Sequence, residues 1–275
     1  MTRRALVLGG GGITGIAWEW GILAGLARAG VDLRTADLVV GTSAGSVVGA
    51  QVANGLSAED RYEAQLAPAD GELAATLGVG LILRMGLAMV GSRAGVRQRI
   101  GRAALRASTG DESARVAVIE SRLPVKEWPK DTTLSITSVD TATGELRVFD
   151  GGVPLVSAVA ASCAVPGVWP PVTIEGRRYM DGGVRSAANA DLADGYDKVV
   201  VLAPIARGLG PMTGVATQVA ALRATAAVAL VTPDAAALKA FGRNVLDPAR
   251  RAPAARAGLA QSDSVIDEVR AVWES

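Results

Sequence analysis

The chain has 275 residues, a net charge of +1, 49% hydrophobic residues, a single cysteine and no histidine. This size and apolarity suit one sizeable α/β domain rather than a disordered chain, and a near-neutral charge with 4% aromatics offers no basic, stacking surface for nucleic acid. Cys163 alone excludes an intrachain disulfide, and without histidine neither a Ser-His-Asp hydrolase nor a histidine-ligated zinc site can be built.

In chain order, "RALVL" (4–8) has the pattern of a short buried strand. Two arginines before an apolar run resemble a secretion leader, but glycines 9–12 and Glu19 interrupt it at once, so a strand entering a glycine loop is expected. Residues 16–30 have helical spacing and close at Gly30. "DLVV" (37–40) is the second strand, leading to Ser43, and 46–55 is the helix behind it. This βαβα order predicts a parallel sheet with right-handed crossovers.

Residues 57–110 read as a helical cap insertion. Their apolar piece, 71–91, fits either a buried helix pair or a mobile lid over an apolar pocket. Arg99, Arg102 and Arg106 follow at helical spacing, as a solvated face or a docking site for anionic lipid headgroups. Cys163, among small apolar residues, is expected to be buried filler. Hairpins are expected over 133–152, turning at Thr143-Gly144, and 170–183, turning at Glu175-Gly176, with a small-residue helix (153–164) between them. "DKVVVLAP" (197–204) is another buried strand.

The remainder reads as helical up to a connector at 247–258, before a last helix carrying Ile266, Val269 and Trp273 on one face. The organisation expected is one domain over 1–275, with 57–110 as the cap and 247–275 as connector and C-terminal helix. With no uninterrupted apolar run of about 18 residues, a cytoplasmic protein is expected, with peripheral membrane contact through the arginines as its second setting.

The chemistry centres on Gly41-x-Ser43-x-Gly45 at the end of the second strand, the spacing of a nucleophile elbow. A Ser-x-x-Lys dyad would need lysine at 46, which is serine, so a carboxylate must take the proton directly. Burial makes an aspartate a better base, and a preformed oxyanion hole stabilises the tetrahedral intermediate. Esters are favoured over amides, because an alkoxide leaves with less help from a proton.

"GGGITG" (10–15), between a strand and a helix, supplies amides beside a helix N-terminus. A dinucleotide loop would also want an acid at the end of the second strand, where the elbow stands instead. Asp-Gly-Gly occurs twice, at Asp150 and Asp181, and the residues alone leave both open as the base.

"GGGITG", "GTSAG" and "YMDGG" in that order, with "AVAASCAVPGVWPPV" before the last, resemble the patatin-like phospholipases across most of 4–204. The resemblance implies a three-layer α/β/α sandwich around a central, mostly parallel sheet, and a serine lipid acyl hydrolase working through an acyl-enzyme. Ser43 would be the nucleophile and Asp181 its base, with amides of Gly10, Gly11 and Gly12 as the oxyanion hole. Gly15, Gly41, Gly45, Gly182 and Gly183 complete the motifs. The substrate would be a lipid or other fatty-acyl ester, with no metal or organic cofactor; the sequence sets no oligomeric state. One departure stands out: Thr14 occupies the position where the family usually has arginine or lysine. The alternative is therefore a lipid-binding or regulatory protein that keeps the fold without turnover.

Overall fold

A computed structural model of the chain describes residues 2–68, 91–208 and 210–275. In order come β1 (Arg4–Leu8), α1 (Gly12–Arg28), β2 (Leu38–Thr42), α2 (Ala44–Ala53), α3 (Ala58–Leu66), α4 (Arg93–Arg106) and α5 (Glu112–Arg122). Then follow β3 (Thr133–Asp140), β4 (Leu146–Phe149), α6 (Leu155–Ser162), β5 (Val172–Ile174), β6 (Arg177–Asp181) and β7 (Lys198–Leu202). The chain continues with α7 (Val215–Leu222), β8 (Ala227–Val231), α8 (Ala235–Phe241), α9 (Arg251–Ser262) and α10 (Ile266–Trp273).

The strands form one sheet in the order β5-β6-β3-β2-β1-β7-β8, with β4 paired to β3 outside that order. Five strands, β3, β2, β1, β7 and β8, run parallel, while β4 and β6 lie antiparallel to β3. Both faces are covered. Leu6 and Leu8 enter a core with Val39, Val200 and Leu202, whereas Ala5 and Val7 enter a second core with Leu38, Val40, Val199 and Val201. That is why the strands read as unbroken apolar runs rather than alternating ones. The architecture is the three-layer α/β/α sandwich.

The first layer is centred on α1, whose residues from Ile13 to Leu26 are all buried, Glu19 included. It crosses α9 at backbone contact. A Cβ at Gly21 would stand 2.2 Å from the Ala255 carbonyl oxygen, and one at Gly258 would stand 2.4 Å from that of Trp18. Trp18 donates from Nε1 to Gln261 Oε1 of α9 at 2.9 Å.

Two expectations are corrected. Residues 247–258 are not a connector: Asp247 caps a short 3-10 turn, and helix α9 runs from Arg251. Pro253 sits in the first turn of α9, where a missing N–H costs little, and Gly258 allows the close crossing, so neither breaks the helix. Within the supposedly helical remainder, "AVALV" is strand β8, an alanine-containing segment whose strand character comes from pairing with β7. Most of the apolar stretch 71–91, read as either a buried helix pair or a mobile lid, lies outside the described residues.

Candidate active site

Ser43 ends the turn between β2 and α2 with φ 53° and ψ −116°, a strained conformation for a residue with a side chain. The turn closes because its neighbours lack one. A Cβ at Gly41 would stand 2.6 Å from Ser46 Cα, and one at Gly45 would stand 2.1 Å from the Leu8 carbonyl oxygen. The Ser43 hydroxyl donates to Asp181 Oδ2 at 2.7 Å. The other carboxylate oxygen, Oδ1, accepts the Gly183 amide at 2.7 Å, which fixes the carboxylate plane. Both residues are nearly buried, with 9% of Ser43 and 5% of Asp181 exposed.

Asp181 reaches Ser43 because β6 pairs antiparallel with β3, setting Asp181 opposite Ser138. Gly182 then bends the chain against β3, where a Cβ would stand 2.4 Å from Thr137 Oγ1. Asp150 lies instead on the surface just past β4, with no bond to Ser43. Burial pushes the Asp181 carboxyl up to about 6, against the Ser43 and Gly183 hydrogen bonds and the charge of Arg115, which pull it down.

The glycine loop lies beside the serine: a Cβ at Gly10 would stand 3.4 Å from Ser43 Cβ. One expectation changes here. The Gly10 amide donates to the Ala187 carbonyl at 2.7 Å, so it is not available to an oxyanion. The amides of Gly11 and Gly12 donate to no carbonyl among the described residues, leaving these two as donors at the start of α1. Gly12 has φ 61°, and a Cβ there would meet the Val245 carbonyl at 2.7 Å. The loop before the 3-10 turn at Pro248 therefore backs the glycine loop, a role the sequence pattern did not signal. Gly15 fits α1 against Pro204 and Ala44.

Three further residues complete the surroundings. Asn189, fully buried in a left-handed conformation, donates to Thr42 Oγ1 and the Ser186 carbonyl, both at 3.0 Å, bridging the elbow to the loop after Asp181. Cys163 is buried, yet it is more than filler: its Sγ donates to the Ser43 carbonyl at 3.2 Å, and burial raises its thiol to about 11. Thr14 is buried, its hydroxyl turned back to the Gly11 carbonyl at 3.3 Å. The cation near the carboxylate comes from elsewhere. Arg115 of α5, 8% exposed, stacks over Trp169 at 4.1 Å, and its Nε has no hydrogen-bond partner among the described residues. Burial lowers it only to about 10, so it keeps its charge at neutral pH.

Among the described residues, no group of three or more His, Cys, Asp or Glu could hold a metal ion, and no helix is long and apolar enough to cross a membrane. The sequence model for patatin-like phospholipases matches residues 6–194, from β1 through the elbow and past Asn189. The chain belongs to the patatin-like phospholipase family. Lipid acyl hydrolysis is the activity of that family. Among solved structures, VipD from Legionella pneumophila aligns at 12% identity over 97% of this chain and 67% of its own, with a TM-score of 0.48. ExoU of Pseudomonas aeruginosa, in complex with SpcU, aligns at 18% identity over 100% of this chain and 53% of its own, with a TM-score of 0.42. The chain thus spans about half of ExoU. No curated protein matches it.

Proposed function

We propose that this patatin-like chain is a serine ester hydrolase of lipids in which Ser43 and Asp181 act as a two-residue catalytic unit. The observation that carries the reading is the 2.7 Å hydrogen bond from Ser43 Oγ to Asp181 Oδ2, in a chain with no histidine. Ser43 Oγ attacks the ester carbonyl carbon as its proton passes to Asp181. The carbonyl oxygen becomes an anion held by the Gly11 and Gly12 amides. Collapse of the intermediate expels the alcohol, which takes the proton back from Asp181, and leaves an acyl-Ser43. Asp181 then deprotonates a water that attacks the acyl carbonyl, and on collapse the proton passes from Asp181 to the departing Ser43 Oγ as the fatty acid leaves.

The experiment is labelling by a fluorophosphonate probe, followed by fatty-acid release from phospholipid and glyceride vesicles. Labelling that depends on Ser43, together with released fatty acid, is expected. A protein that binds these vesicles but neither reacts with the probe nor releases acid would belong to the non-catalytic alternative.

The carboxylate gives a pH test. Asp181 must be ionised to accept the proton, so turnover is expected to fall as pH drops through about 6. Arg115 favours the ionised form, so Arg115→Gln is expected to move this midpoint to higher pH while rates converge with wild type at alkaline pH. The kcat-pH profile measures it. A merely structural loss would lower the whole profile without shifting its midpoint.

A further inference from the structure

Basic and acidic residues almost balance over the whole chain, 28 against 27, yet helix α4 carries five arginines and no acid. Its inner face packs Val96 and Ile100 against Val139, Met180 and Val184, and the last two flank Asp181. Gly101 sits on the backbone of Thr141, just past β3, and Gln98 donates to the Thr143 carbonyl at 3.1 Å. Helix α4 is therefore anchored at the carboxyl end of parallel strand β3, the same end of the sheet at which β2 delivers Ser43.

At 3.6 residues per turn, Arg99, Arg102 and Arg106 fall within an arc of about 60°, opposite the buried face. Arg102 and Arg106 are exposed and form no ion pair or hydrogen bond among the described residues. Leu105, 45% exposed, stands beside them. The loop after β7 adjoins this helix: Arg93 donates to the Pro211 carbonyl at 3.0 Å, and Met212 joins the cluster under α4. That loop presents Ile205, 41% exposed, and the exposed Arg207. Its Pro204 packs on Gly11 of the oxyanion loop. Unpaired cations and exposed aliphatic side chains thus lie on elements held at the Ser43 end of the sheet. Cations suit anionic headgroups, and aliphatic groups suit the acyl boundary beneath them.

We propose that the outer face of α4, with Ile205 and Arg207 of the neighbouring loop, docks the protein on an anionic lipid bilayer and turns the Ser43 end of the sheet towards it. The proposal rests on the lipid-hydrolase reading above for its biological use, but the contact is measurable without turnover. Each basic side chain near an anionic surface strengthens binding about fivefold, and salt screens the effect.

The test is co-sedimentation of the full chain with phosphatidylcholine vesicles, with and without phosphatidylserine. Wild type is expected to bind only the anionic vesicles and to release as salt rises. Arg102→Gln/Arg106→Gln is expected to bind at least tenfold more weakly while cleaving a soluble short-chain nitrophenyl ester at the wild-type rate. Leu105→Ser is expected to weaken binding while leaving its salt dependence unchanged. Equal binding to both vesicle types, or wild-type binding by the double variant, would overturn the proposal. So would binding to a DNA duplex or an acidic protein as tight as to the anionic vesicles. Lipid binding of the expected kind with no ester turnover by wild type would sink the hydrolase reading and leave this surface standing.

Discussion

Replacing Ser43 by alanine is expected to remove fluorophosphonate labelling altogether and to lower ester turnover on the order of 10⁴- to 10⁶-fold, leaving only what binding and the oxyanion amides give. Asp181→Asn is expected to cost on the order of 10⁴-fold. The amide matches the carboxylate in shape and can still accept the Gly183 amide, but it cannot take a proton. The double variant is expected to be no worse than Ser43→Ala, because the two groups act in one step. Asp150→Asn, at the surface, is expected to stay within twofold of wild type, an ordinary outcome for an exposed substitution.

Asp181→Asn carries an opposite expectation for stability. Asp181 titrates near 6 when folded, above its ordinary value of 3.8, because burial disfavours the charge. Folding therefore favours the protonated acid: its contribution is full at low pH and is lost as pH rises through about 6. At neutral pH the wild-type fold carries an ionised, buried carboxylate, so Asp181→Asn is expected to raise stability by on the order of 2–3 kcal/mol, seen as a higher thermal midpoint. Loss of activity with a gain in stability separates a chemical role from a structural one. An Asp181→Asn protein within tenfold of the wild-type rate would dismiss Asp181 as the base.

Local chemistry made much of this architecture readable. "RALVL", "DLVV" and "KVVVL" are apolar on both faces because the sheet is covered on both, and the elbow and hairpin glycines mark turns that a Cβ would obstruct or strain. Contacts distant in sequence were not readable from spacing. Asp150 and Asp181 share the sequence Asp-Gly-Gly, and only the pairing of β6 with β3 brings one of them to Ser43, 138 positions away. Arg115 looks like any helix arginine until Trp169 covers it, and Asn189 like any loop asparagine until it bridges two loops. Gly10 resembles Gly11 and Gly12, yet its amide is taken by Ala187, a partner from a remote segment. Pro253 and Gly258 fit within α9 only because of helix position and of Trp18 across the crossing, neither of which spacing shows.

Gly45→Ala is expected to damage both fold and site, although alanine is the better helix former by about 1 kcal/mol. The added methyl would stand 2.1 Å from the Leu8 carbonyl oxygen and 2.3 Å from its carbon. Both are backbone atoms of a central strand, bonded into the sheet and unable to swing aside as a side chain would. Helix α2 would have to lift from β1, stretching the 2.9 Å hydrogen bond from the Gly45 amide to the Gly9 carbonyl that ties the elbow to the glycine loop. Overpacking of this kind costs about 1–3 kcal/mol, and here it outweighs the gain in helix propensity. The thermal midpoint is expected to fall by several degrees. Labelling of Ser43 should fall further than folding does, because the serine and the Gly11 and Gly12 amides move apart. Gly110→Ala is the control, since a Cβ there meets nothing within 4 Å and the change is expected to be silent. Thermal unfolding and probe labelling of the two variants decide the matter: a Gly45→Ala protein that melts and labels like wild type would mean that α2 does not press on β1 as the structure has it.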